Sequence, residues 1–189
     1  MPAAFGTLVE RLVGCQVFFA PDGALIGAAS AAISALVKPA TPATAYVDYS
    51  LGRVTQLKYE PKTKETTREW GSQYGGYKER VDKKVVTDAF TFTCIDYAPQ
   101  LVDQLIFGTT GLAAVGSQQA FQSALRQKDG WFYAKRINDA GVSITLLEIH
   151  ARLILDEVPE DKNDPGSPKF RITHLQDAGA LDTVTFAVG

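Results

Sequence analysis

His150 and His174 are the only imidazoles in the chain, and imidazole is the side chain best suited to move a proton or bind a metal near neutral pH. Neither stands in a pattern that such chemistry needs. The sequence has no HExxH stretch, no paired histidines beside a carboxylate and no Cys/His cluster, so neither a structural zinc nor a metal-hydrolase site is expected. His150 falls on the polar parity of one strand-like stretch and His174 lies in another; both read as surface or interface histidines. No G-x-S-x-G elbow activates a serine. The glycine run at residues 108–116 has the look of a phosphate loop but lacks the Gly-Lys-Ser/Thr ending. It also follows a helix-like stretch rather than joining a strand to one, and so reads as a flexible connection. Asp156 and Glu157 belong to a charged run, whose default is a solvated face. Cys15 and Cys94 stand far apart without CxxC spacing and beside apolar neighbours, as small buried hydrophobes do. The expectation is a chain with no catalytic residue, no metal and no cofactor: not an enzyme.

With 189 residues and 46% hydrophobic content the chain can bury a core as one domain. Its 19 basic and 21 acidic residues leave a formal charge of -2, without the basic footprint of a stable nucleic-acid binder. No basic segment followed by an apolar one marks a secretion signal. The longest uncharged apolar run, residues 23–37, is too short to cross a bilayer at about 20 residues per span. A soluble protein made in a cytoplasm, without a membrane partner, is the expectation.

The elements that would position these residues are mostly strands. A short strand is predicted over residues 16–19, closed by the turn Pro21-Asp22-Gly23. Residues 24–37 are rich in alanine, but Gly27 and the serines weaken a helix there, leaving either a local helix or a small-residue segment packed on another chain. Residues 54–59 form a candidate strand. In residues 85–96, Val86, Phe90, Phe92 and Cys94 share one parity and Thr87, Thr91 and Thr93 the other, the pattern of a strand with one buried and one polar face. Between the two, residues 60–84 read as a long hairpin excursion, and ordered loops of such length usually carry function. One helix is predicted over residues 99–107, started by Pro99 and ended by Gly108. Strands follow at 130–137 and 142–158, joined by a turn at 138–141, with a bulge or bend near Leu146 and Leu147 where the inward parity changes. The last two strands are 170–175 and 182–188. The fold class is mainly β: an antiparallel β-sandwich or barrel with one short flanking helix and a long hairpin loop. Residues 1–45 form an N-terminal arm with a strand and an Ala-rich segment, and residues 46–189 the β-sandwich domain, a single domain overall.

The order of features from Tyr46 to the end resembles siphophage-type tail tube proteins. Leu51-Gly52-Arg53-Val54 leads to Glu60-Pro61 and a charged hairpin loop holding Trp70, Tyr74 and Tyr77. A Thr-rich strand and a helix come next. The Gly130-Trp131 strand, the Gly141 turn, the long strand, a charged loop, Phe170 and a closing strand after Gly179 complete it. Residues 15–21 add a weaker match, and residues 24–37 have no counterpart in the family.

The resemblance implies a virion structural subunit, synthesised in the host bacterial cytoplasm and assembling with itself as stacked hexameric rings. Their lumen would conduct DNA without sequence-specific binding, and the terminator, tape measure and distal tail or baseplate proteins would be its other partners. Within that frame Arg68, Trp70, Tyr74, Tyr77 and Arg80 would form an inter-subunit contact loop, and Thr87, Thr91 and Thr93 a lumen-facing strand. A terminator, a secretion-tube subunit and a carbohydrate-binding β-sandwich are the alternatives. Host, ring symmetry and tail contractility are not written in the sequence.

Overall fold

Alternating apolar and polar residues oblige a strand to bury one face, and six of the described strands do so against one another. The computed structural model describes residues 12–24, 32–39, 49–71, 77–96, 127–138, 143–157, 167–177 and 181–186. The strands are β1 (Leu12–Pro21), β2 (Ser50–Tyr59), β3 (Lys62–Gly71), β4 (Tyr77–Thr87), β5 (Ala89–Asp96), β6 (Gln127–Asn138), β7 (Ser143–Glu157), β8 (Lys169–His174) and β9 (Thr183–Phe186). The fold is mainly β and antiparallel throughout.

The main sheet runs β6-β1-β2-β5-β8-β7-β9, and β6 also pairs with β7. That extra pairing closes six strands into a barrel, which removes their edges. β9 pairs with the first half of β7, which β8 leaves free. β1, drawn from the first 45 residues, is a full stave between β6 and β2.

The barrel interior is filled. Phe92 lies opposite Phe170, and Phe170 opposite Leu155, along one row. Phe92 also stacks on Phe132 across the interior, with ring centroids 5.7 Å apart. Val17, Phe19, Leu51, Val54, Cys94, Ala151, Leu153 and Ile172 complete a dry core. Both cysteines are free and buried, as expected from their neighbours. Burial pushes the Cys15 thiol up to about 11 and the Cys94 thiol up to about 12.

Local chemistry explains how the strands fit. Leu51 and Val54 are both buried although three residues apart. Gly52 at φ 102° and a register shift after Arg53 together turn both inward. The stretch expected as one strand, residues 85–96, is two: Asp88 parts β4 from β5, and only β5 enters the barrel. An irregularity stands close to the bulge expected near Leu146 and Leu147: β6–β7 pairing is regular from Gln127↔Ile154 to Arg136↔Thr145 and then skips to Ile137↔Ser143, one extra residue in β7. From Leu147 through Ile149, Ala151, Leu153 and Leu155 the inner parity of β7 is apolar and packs in or against the core. Among residues 32–39 there is no helix; a tight Ser34–Val37 turn stands there. The expected helix at 99–107 lies outside the described residues.

Candidate functional site

β3 and β4 form a separate two-stranded ribbon. It leaves the barrel where Glu60 N–H donates to the Ala89 carbonyl at 2.8 Å, so its foot is an ordinary β2–β5 junction. Residues 62–67 and 83–86 are exposed on both strands. Register sets Lys64 opposite Lys84 and Arg68 opposite Arg80, like charges in paired positions, and Glu65 opposite Lys83, an exposed ion pair at 2.7 Å that adds little on its own. Residues 62–87 hold seven basic and four acidic residues, net +3, which leaves the other 163 residues at -5. Of the expected contact residues, Arg68, Trp70, Tyr77 and Arg80 all lie in this ribbon, with Trp70 opposite Lys78 and Tyr77 opposite Gly71. Tyr74 lies outside the described residues.

The outer wall of β2, β5, β8 and β7 is a belt of paired charges. Lys58, Thr91 and Arg171 fall in one cross-strand row. Lys58 pairs with Glu60 at 2.5 Å and Arg171 with Asp156 at 2.9 Å. Lys58, aided by the Thr91 hydroxyl, holds the Glu60 carboxyl below the usual range despite some desolvation. Arg152 donates from Nε and Nη2 to the two Asp129 oxygens at 2.6 and 2.8 Å, which lowers the Asp129 pKa. Of the expected lumen residues, Thr91 is buried in this row, while Thr93 in β5 and Thr87 at the end of β4 are half-buried.

A third feature was not legible in the sequence. His150, expected at a surface or an interface, is only 1% exposed within the chain itself. It lies opposite Trp131 on the outer parity of β6–β7, and the chain covers that face. Gly23, with φ 84°, turns the chain after β1, and residues 22–24 and 32–39 then run as a strap. The indole of Trp131 donates to the Ser34 carbonyl at 2.9 Å. Lys38 spans the strap's far end, donating to Leu181 O and Thr183 Oγ1 and pairing with Glu148 at 2.7 Å. Under this cover His150 Nδ1 meets Asp177 at 2.8 Å and Nε2 meets both Asp22 oxygens at 3.1 Å. Asp182 accepts the His150 backbone N–H at 2.8 Å and receives His174 Nε2 at 2.8 Å on its other oxygen. Burial pulls the His150 pKa down, but hydrogen bonds and charge from Asp177 and Asp22 more than offset it, and the net direction is upward. The partners lie 128, 27 and 32 residues away in sequence, so no local spacing could announce the cluster. Among the described residues no group of His, Cys, Asp and Glu is arranged to hold a metal.

No protein-family model matches the sequence, and no curated protein matches it. Chains of several solved structures align with it, three of them as follows. A chain of the PVC sheath-tube complex of an extracellular contractile injection system, in the extended state, aligns at TM-score 0.42 and 10% identity, over 98% of this chain and 95% of that one. A chain of the PVC sheath/tube terminator in the extended state aligns at 0.40 and 10%, over 97% and 99%. A chain of the anti-feeding prophage cap, the AFP tube-terminating cap, aligns at 0.36 and 13%, over 72% and 85%. At such scores and identities the likeness decides neither fold nor role.

Proposed function

We propose that this chain is a structural subunit of a phage-type tail tube, stacking as rings, hexameric by the resemblance, around a lumen that conducts DNA. The observation that carries the reading is the β3–β4 ribbon. A lone two-stranded hairpin is marginally stable in water, and this one sets like charges in paired positions. Another surface must hold it in place. The partition of charge, +3 in the ribbon against -5 elsewhere, makes the body of a second copy a fitting surface. The filled barrel cannot itself be the channel, so the lumen in this reading is built from outer walls of several copies. The belt around Thr91, with Thr87 and Thr93 at its margin, suits that role because its charges neutralise one another. A wall without excess positive charge lets a polyanion pass without holding it.

Negative-stain electron microscopy at rising protein concentration tests the reading. Rings or tubes with a central hole are expected from the full chain. A variant with residues 62–87 replaced by an Asn-Gly turn should keep the barrel, because Glu60 and Ala89 are already bonded, and should form no rings. A full chain that stays monomeric at every concentration refutes the proposal.

A further inference from the structure

The His150 cluster has a property that does not depend on the tube reading. Both ring nitrogens face carboxylate oxygens, Asp177 on Nδ1 and Asp22 on Nε2. A carboxylate only accepts, so both contacts are hydrogen bonds only when both nitrogens carry a proton. A neutral imidazole would turn one lone pair against a carboxylate. The ring is buried, its side chain 2% exposed, while Asp22 and Asp177 are 35% and 51% exposed, so the cost falls on the ring nitrogen.

We propose that Asp22, His150 and Asp177 form a proton-dependent clasp that holds the strap, residues 22–24 and 32–39, against the outer face of β6 and β7. The clasp gathers the exit of β1 through Asp22, the exit of β8 through Asp177 and the approach to β9 through Asp182. The charged groups around the imidazole come from every element packed on it. Asp22, Asp177 and Asp182 bring negative charge from the connections. Asp129 of β6 and Arg152 of β7 form a closed pair beside it, and His174 of β8 is tied to Asp182 and, at 3.8 Å, to Asp88. Lys38 is engaged by Glu148 and lies 5.5 Å from the Trp131 ring centroid. Two carboxylates, Asp22 and Asp177, thus flank one imidazolium, and loss of its proton leaves them facing one another across it.

The sign of the pH effect follows. The closed form holds the proton more tightly than the open form. Its contribution is therefore complete below the ordinary imidazole value of 6.5 and fades as pH rises through the higher value in the closed protein. Nδ1 has one contact at 2.8 Å and Nε2 two at 3.1 Å. In the proposed clasp the Nε2 proton is the one that leaves, which frees the Asp22 end and the strap.

Long-range proton–nitrogen NMR on the 15N-labelled full chain tests this directly, since only two imidazoles contribute. A His174→Gln sample assigns them. Expected for His150 are two protonated nitrogens at neutral pH, a midpoint above 6.5, and an Nδ1–H tautomer in the neutral form. The Ile33 amide, which donates to Ala24 within the strap, should lose hydrogen-exchange protection through the same midpoint. The loss should be about tenfold for each unit by which the midpoint is raised. Asp22→Asn should lower the midpoint and flatten the pH dependence of Ile33 protection. A midpoint at or below 6.5, or Ile33 protection that does not change across it, overturns the proposal. Both readings come from the wild-type chain, so a variant that fails to fold leaves the test intact.

Discussion

At the scale of single residues, the fold depends on places where a side chain must be absent or dry. Gly130 pairs with Pro21 on one side and Ala151 on the other. A Cβ there would run into the backbone of Ala20 and lie 2.7 Å from the Pro21 Cα, atoms that belong to the neighbouring stave and cannot rotate away. Gly130→Ala is therefore expected to cost about 1–3 kcal/mol, as overpacking does, and to lower Tm by roughly 2–10 °C. Thermal unfolding followed by circular dichroism checks it, and an unchanged Tm would mean that β1 and β6 part more easily than their pairing implies. The cysteines supply a second measure. With thiols raised to about 11 and about 12 by burial, neither presents thiolate at pH 8. A thiol-specific reagent should label neither residue in the native chain and both after denaturation. Their dryness was legible from apolar neighbours alone. His150 was not, because polar parity on a strand means solvent only when nothing covers the outer face. Here a strap contributed by residues far away in sequence covers it.

At the scale of elements, period-two alternation was enough to place strands at β1, β2 and β5 through β9, each within a few residues of its structural bounds. It could not say where a strand changes sheet. Residues 85–96 keep one parity through Asp88, yet the chain passes there from the ribbon into the barrel, a choice made by pairing with β2 and β8 rather than by local pattern. The parity change read near Leu147 as a bulge has its counterpart in the register shift between Thr145 and Ser143 of β7. Beyond that shift the inner parity of β7 is apolar from Leu147 to Leu155, whether the strand meets β9 or β8. The Leu51-Gly52-Arg53-Val54 motif gains a reason as well: positive φ at Gly52 and the following register shift place two apolar residues inward at a spacing that a regular strand would split between faces. The long excursion at residues 60–84 was read correctly as a hairpin, but its regularity, ten residues paired against eleven, was not foreseen. A run of alternating charges has no apolar face to announce a strand.

At the scale of the whole molecule, the fold divides into a body that satisfies itself and a ribbon that does not. Closure of six strands removes the edges that would otherwise recruit neighbours, so the barrel has no need of a partner. What remains open among the described residues is the ribbon and the outer edge of β9. In the proposed assembly the ribbon's charge of +3 against -5 elsewhere is the chief long-range force between copies, and such a force weakens as ions screen it. Screening shortens from about 10 Å at 0.1 M to about 3 Å at 1 M salt, comparable to the spacing of exposed charges across a loose contact. If ribbon and body meet through these charges, the concentration at which assemblies form should rise with salt between those limits. Lys64→Glu together with Lys84→Glu, which changes the ribbon from +3 to -1, should abolish assembly at low salt while leaving the barrel's unfolding transition in place. Light scattering against sodium chloride, read beside circular dichroism of the same samples, separates the two effects. Assembly that persists in the doubly reversed variant would assign cohesion to apolar contacts at the ribbon's foot, where Tyr59, Val85 and Val86 are exposed, instead of to charge.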